Sequence, residues 1–357
     1  MTVLTRRALN RALLHRQLLL RRWKLTPAKA IERLVGLQAQ ATNPPYFALW
    51  TRLDGFRREQ LSRMLSDRRV VRLALMRSTL HLVTADDCLA IRPVLQPMLE
   101  TAYARSFHAR ETQGLDLDEV VKVARELIEA EPLTNAALGR ALTDRWPGRD
   151  VTALLQAVRA RLAIVQLPPR GLWGVGGQPT GTTAETWLGR PFAPMSPDDL
   201  VLRYLAAFGP ASVQDAQAWS GLTRLRKVFD RLELRTFTDE AGVRLFDLPD
   251  ARRPHSDTPA PVRFLPEFDN SLLSHADRTR IIATEHRPRV FTNNGIIRGT
   301  VLVDGFVAAT WKLGADALTV TPFGNLSERD EVEAEAHRLA AFAGADVPVQ
   351  FVAKAAT

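Results

Sequence analysis

Between residues 196 and 249 the chain is punctuated so densely that few orders of elements fit. Ser196-Pro197 opens a helix running through Tyr204 to Phe208, Gly209-Pro210 breaks it, and Ser212 caps a short helix to Trp219. Gly221 turns the chain, and Thr223 caps a third helix over 224–232. Strands 234–238 and 243–248 follow, joined by Asp-Glu-Ala-Gly. Three helices and a hairpin are the order of a winged helix, a helix-turn-helix variant whose third helix reads a groove. Arg224, Arg226 and Lys227 at the start of that helix suit phosphate or base contact.

The same order recurs upstream over 116–177. A helix over 118–130 ends at Pro132, Thr134 caps a second, and a third over 151–163 carries Arg159 and Arg161. Strands 164–167 and 172–175 then flank Pro-Pro-Arg-Gly, with Arg170 at the tip of a wing that would meet the backbone or minor groove. A third, less regular copy fills the N-terminal hundred residues: helices 5–23, 27–38 and 58–67, then strands 70–75 and 79–83. The opening segment has no acid before Lys24 and six arginines, superficially like a transit peptide. Thr5 as a cap and the apolar side Leu9, Leu13, Leu20 and Trp23 make it a helix of the folded protein. Asp86 and Asp87 begin another helix, which Pro93 and Pro97 should kink or stop before Leu99.

Beyond Pro249 the run Ala-Arg-Arg-Pro-His-Ser-Asp-Thr-Pro-Ala-Pro is a linker. After it come strand-like runs over 300–313, with an Asp304-Gly305 turn, and 318–322, then a helix over 327–343 and a strand over 347–352. The fold class is therefore α+β, tandem winged helices with a C-terminal α+β domain. Its 357 residues exceed what one core ordinarily supports. The expected segments are 1–115, 116–190, 191–250 and 262–357.

The 48 Lys and Arg against 39 Asp and Glu, net +9, favour an anionic partner such as nucleic acid, although an arginine-rich proteome would give the same excess. A single cysteine, Cys88, excludes an internal disulfide and any cysteine-based zinc site, and fits a reducing cytoplasm. No apolar run approaches a membrane span of ~18 residues. The glycines at 174, 176 and 177 lack the Lys-Ser/Thr of a phosphate loop, the seven histidines show no ligand spacing, and no Gly-x-Ser-x-Gly elbow occurs. No cofactor or metal is expected. Glu267 and Asp269 flank Phe268 as a candidate acid pair, or as a buried pair holding Arg278 or Arg280. His81, within a strand, is read as hydrogen-bonded structure or as a residue lining a site.

Gln38-Ala39-Gln40 closes the amphipathic stretch 31–37, ahead of Ala-Thr-Asn-Pro-Pro. Two residues apart, the amides diverge on a helix and share a side in extended chain. Thr26-Pro27 starts a helix expected to run to about residue 38, and Pro44 and Pro45 push the chain before them toward extended geometry. Both amides could then face one cavity. Alone, such a pair is ordinarily solvated surface.

Three stretches resemble a known family: Leu37-Gln38-Ala39-Gln40, Arg77-Ser78-Thr79-Leu80-His81-Leu82-Val83, and Phe264-Leu265-Pro266-Glu267-Phe268-Asp269-Asn270 with Asp277-Arg278-Thr279-Arg280. They are similar to the AlkZ-type winged-helix proteins, bacterial DNA glycosylases that act on alkylated purines and interstrand crosslinks. The resemblance covers nearly the whole chain. It implies a concave, positively charged, C-shaped surface of tandem winged helices, with Gln38 and Gln40 in the catalytic motif. Many relatives carry Asp at the second glutamine; Gln here resembles the branch whose suspected substrate is a crosslinking natural product such as azinomycin. The implied partner is duplex DNA bearing alkylated or crosslinked purines, bound by a cytoplasmic, nucleoid-associated monomer. A winged-helix transcription regulator, or a non-catalytic protein that sequesters a drug, is the competing expectation.

Overall fold

The computed structural model describes residues 2–352, so the outermost ends of the first and last expected segments, residue 1 and 353–357, lie outside the described residues. Helices and strands mix throughout in an α+β fold, with three sheets among the described residues. Helices Pro197–Phe208, Val213–Ser220 and Arg226–Arg231 precede the antiparallel strands Arg235–Asp239 and Arg244–Asp247. Ser196 and Ser212 each close a capping box with the aspartate three residues on. The third helix starts at Arg226, two residues later than its sequence implies. Arg224 adopts left-handed backbone, and the Leu225 N–H donates to Gln217 Oε1 at 3.1 Å. That side chain takes the place of the expected Thr223 cap. A further strand, Thr2–Leu4, pairs in parallel with Arg235–Asp239, so the chain's start completes a sheet more than two hundred residues downstream.

The opening helix is Arg6–Arg16 rather than 5–23. Leu18 turns left-handed, and the Leu18 and Leu19 N–H groups bond back to the His15 and Leu14 carbonyls at 3.2 and 2.8 Å, a closure no apolar stripe overrides. The prolines of the next long helix act oppositely to expectation. Ala85–Ala104 is continuous across Pro93 and Pro97. The Leu89 carbonyl that Pro93 cannot bond accepts instead from the Ala193 N–H at 3.2 Å.

In the second segment, helices Leu117–Ala130, Asn135–Arg145 and Val151–Arg161 lead to strands Ile164–Gln166 and Thr180–Thr183. Residues 172–175 are not a strand. Pro168 and Pro169 have no N–H to give a ladder, and the chain between the strands docks on the first segment: the Trp173 N–H donates to Ser62 Oγ at 3.2 Å and its ring meets Tyr46 edge-on. Arg170 therefore sits in a docked loop, donating to the Gly177 carbonyl at 2.6 Å, and is not a two-stranded wing tip.

Strands of the first and second segments form one antiparallel six-stranded sheet, ordered Leu37–Gln38, Leu80–Thr84, Val70–Ala74, Ile164–Gln166, Thr180–Thr183, Leu133–Thr134. One register pair, Arg72 opposite Gln166, joins the halves. A five-stranded sheet, Arg263–Leu265, Gly299–Val303, Phe306–Leu313, Leu318–Pro322 and Val349–Phe351, carries helix Arg329–Ala343 and forms the C-terminal part.

Leu14, Leu73, Phe208, Trp219 and Leu265 belong to one continuous core, whereas Val120, Ile128, Leu142 and Val158 form a smaller one inside the second segment. Buried ion pairs lace the main body. Arg16 grips fully buried Asp247 with two bonds of 2.7 Å, and Arg253 adds a third at 2.5 Å, so the opening helix is tied to the hairpin at 235–247.

Three histidines fold uncharged. Burial holds His15 down to about 4 and His81 to about 3, with nearby arginines adding to both, and burial pushes His275 down as well. The unfolded chain takes up protons below pH ~6.5 that the folded chain refuses. Stability is thus full above that value and falls as pH drops toward the folded pKa values. His81 and His275 are fully buried, so denaturant unfolding at pH 7 and pH 5.5 should differ by about 3 kcal/mol. Equal stability at the two pH values would show that these rings are protonated in the fold.

Candidate active site around the paired glutamines

Helix Pro27–Arg33 ends earlier than the prolines downstream imply, which decides how the glutamine pair is presented. Val35 and Gly36 both adopt left-handed backbone, and their N–H groups bond back to Glu32 and Ile31 carbonyls at 3.1 and 2.9 Å. Gly36 is required there, since a Cβ would stand 2.7 Å from Val83 Cγ1. The chain therefore leaves the helix directly into the edge strand Leu37–Gln38, antiparallel to Leu80–Thr84. Gly36 ends the helix, and Pro44 and Pro45 lie too far downstream to set the stop.

Each residue of the motif is then held by the hairpin at 70–84. Gln38 is buried, and its Oε1 accepts from Arg77 Nη2 at 2.7 Å. The Ala39 N–H donates to the Leu80 carbonyl at 2.7 Å, and the Ala39 carbonyl accepts from Arg72 Nη2, also at 2.7 Å. Gln40 is exposed, and its Oε1 accepts from the Leu80 N–H at 3.0 Å. Because both partners of the amides are obligate donors, both carbonyl oxygens must face the protein as placed. Each keeps one further lone pair.

Arg77 organises the deeper half. It lies in a turn where Arg77 and Ser78 are both left-handed (φ 57° and 59°). Its guanidinium also donates to the Trp219 carbonyl at 2.6 Å and reaches Asn270 Oδ1 at 3.4 Å, while Asn270 Nδ2 donates to the Gly36 carbonyl at 3.3 Å. Burial lowers the Arg77 pKa to about 10, which leaves it charged at neutral pH. Arg72 is likewise buried, lowered to about 10, and its Nε and Nη1 have no partner among the described residues. The ground beneath the motif is therefore positive.

The two glutamines do not share one cavity. Gln38 lines a hollow of about 10 Å³, room for one water, together with Gln17, Arg52, Asp269 and Asn270. Gln40 stands in the wall of an open cavity of about 410 Å³ between the first and second segments. The difference follows from Gln38 lying in the edge strand and Gln40 just past its end. His81 lies directly opposite Gln38 in the sheet, fully buried, with Nδ1 on the Thr79 carbonyl at 2.9 Å and Nε2 without a partner among the described residues. It is not among the residues lining the cavity at Gln40.

The basic residues read from the sequence fall in different places. Arg159 lines the 410 Å³ cavity. Arg161 pairs with Asp118 at 2.5 Å beside a second surface hollow. Arg224, Arg226 and Lys227 are exposed around the start of helix Arg226–Arg231, and none of them lines the cavity at Gln40. Sequence reasoning gives no role to Arg72, Arg77 or Asn270, although two of them stand inside the conspicuous stretches 77–83 and 264–270. Asp269 holds neither Arg278 nor Arg280. It bonds Arg52 Nη2 at 2.9 Å and caps the turn Asn270–Leu272, because left-handed Phe268 turns the chain inward. No group of His, Cys, Asp and Glu able to hold a metal occurs among the described residues, and no described helix is long and apolar enough to cross a membrane.

Comparison with known proteins bears on the same region. The family model of AlkZ-like DNA glycosylases matches residues 31–342. An interstrand DNA cross-link repair glycosylase of Streptomyces sahachiroi is 27% identical over 368 positions, spanning 95% of this chain and 97% of that protein. The solved structure of Streptomyces sahachiroi DNA glycosylase AlkZ has the same fold, with TM-score 0.81 at 24% identity over 98% of this chain and 100% of that one.

Proposed function

This chain belongs to the AlkZ-like DNA glycosylase family and is an enzyme of that class, and we propose that it hydrolyses the N-glycosidic bond of cationic N7- or N3-alkylated purines, crosslinked ones included. Alkylation charges the base, so the leaving group needs little acid catalysis. The protein has to place a water and stabilise positive charge developing at C1′. Gln40 is suited to both, since it is exposed, its amide is fixed by the Leu80 N–H, and one carbonyl lone pair stays free to accept from a water. This pinned, exposed amide in a cavity wall carries the reading. Gln38 is better suited to support, because its oxygen already faces the Arg77 cation and its NH2 is left to donate.

An amide is no strong base, which makes the enzyme selective for bases that are already charged. A site open to solvent also suits crosslinks, since a tethered base cannot be swung far out of the helix and has to react where it lies. We further read the helix-helix-helix-hairpin units at 117–183 and 197–247, and the N-terminal one, as tandem winged helices facing a common concave DNA surface. Exposed Arg224, Arg226 and Lys227 would hold backbone phosphates at its edge. Resistance to a crosslinking natural product such as azinomycin is the physiological setting this proposal favours.

The test is duplex DNA carrying 7-methylguanine or a mustard crosslink, incubated with excess protein and scored for alkali-labile abasic sites. Abasic product from the alkylated duplex, and none from undamaged duplex, is expected. Folded protein that binds the alkylated duplex and yields no abasic site would sink the proposal.

A further inference from the structure

We infer that the cavity beside Gln40 receives a phosphodiester of the damaged strand on Arg159, which thereby positions the lesion's sugar against Gln40. This inference rests on the glycosylase reading for what Gln40 does, but not for what the cavity binds.

The cavity, about 410 Å³, lies between the first and second segments. Among the described residues its wall contains two arginines, Arg92 and Arg159, and no carboxylate. Arg92 is already engaged, by Gln96 and by the Ala160 carbonyl. Arg159 is half-buried and makes no hydrogen bond or ion pair among the described residues. It stands on helix Val151–Arg161, whose last turn is basic. Other buried or half-buried arginines have partners: Arg16, Arg52 and Arg203 are matched to carboxylates, and Arg72 and Arg77 are held by neutral oxygens. An unmatched guanidinium in a partly desolvated cavity gains most from an incoming anion, whose bonds to it are charge-assisted.

The same lining excludes the charged base itself. Two arginines without a counter-carboxylate repel an alkylpurinium ring, so the base belongs outside this cavity and an anion inside it. On a DNA strand the anion nearest to C1′ of the lesion is one of the two phosphates flanking its sugar. Gln40 and Ser78 line the same cavity as Arg159, so a phosphate held there and the amide act on one stretch of strand. Gln156 and Gln166 also line the cavity, and an amide NH2 can donate to a phosphate oxygen.

The experiment uses the full chain and a duplex with one tetrahydrofuran abasic analogue, in which each phosphate flanking the analogue is replaced in turn by an uncharged methylphosphonate. Affinity is read by fluorescence anisotropy for the wild type, Arg159→Gln and Arg159→Lys. Wild type should lose about tenfold when one particular flanking phosphate is neutralised, the loss of a charge-assisted contact. Arg159→Gln should lose about tenfold on unmodified duplex and nothing further on that methylphosphonate, with Arg159→Lys between the two. Losses that multiply in Arg159→Gln, or a wild type indifferent to both methylphosphonates, would overturn the inference. A folding defect in Arg159→Gln leaves the wild-type scan and the lysine variant to decide. Failure of the wild type to excise 7-methylguanine would refute the glycosylase reading alone, because the binding readout needs no cleavage.

Discussion

Replacing Gln40 with alanine lowers single-turnover excision of 7-methylguanine at least about a hundredfold while leaving duplex affinity within about twofold. The expectation comes from the geometry of one amide. Its carbonyl is held by the Leu80 N–H, its side chain is exposed, and removing it deletes no buried contact. Gln40→Glu supplies an oxygen for the same N–H and a stronger base, so it should retain activity within about tenfold. Gln38→Ala behaves differently. It strips a partner from buried Arg77 and should cost about 2 kcal/mol of stability along with activity. A Gln40→Ala enzyme that excises at the wild-type rate would remove that residue from the chemistry.

Asp247→Asn should lower stability by about 3 kcal/mol or more, a fall of roughly 4 °C or more in Tm for a chain of this length. Asp247 is fully inaccessible, and its carboxylate accepts from Arg16 twice, from Arg253 and from the Leu248 N–H. Neutralising it leaves Arg16, 3% exposed, as an uncompensated buried charge. The double variant Arg16→Met, Asp247→Leu should recover part of the loss, because Arg253 can turn outward and the buried charge is gone. Differential scanning calorimetry of the three proteins decides the matter, and an unchanged Tm in Asp247→Asn would mean that solvent reaches the pair.

The order of helices and strands is legible wherever local chemistry is decisive. Ser196, Ser212 and Thr134 cap the helices expected to follow them, and the Asp304-Gly305 turn separates the strands expected around it. Sequence and structure part where a distant partner overrides the local signal. Pro93 reads as a break, yet its freed acceptor is satisfied by Ala193, a hundred residues on, and no pattern around Pro93 announces that bond. Residues 172–175 look like a strand, but Trp173 packs on Tyr46 and Phe47 instead of pairing. The candidate site is half legible for the same reason. Gln38 and Gln40 stand out through the family resemblance, whereas the edge strand that carries the first of them does not, because the sequence implies a helix running past Gly36 to about residue 38. That Arg77 and Arg72 hold the motif from behind depends on a cross-strand register and an αL turn, which appear only once the hairpin is built.

The Arg77 contacts also set a schedule for the enzyme's birth. This one guanidinium needs Gln38, the Trp219 carbonyl and Asn270, groups spread over more than two hundred residues of chain. A ribosome releases the glutamine motif early and Asn270 only after about three quarters of synthesis, so the motif spends most of translation without its setting. A nascent or truncated chain thus carries Gln38 without the full set of groups that holds Arg77 against it. If Gln38 supports excision as proposed, full activity arrives only with a finished fold, and that late assembly protects a chromosome from stray abasic sites.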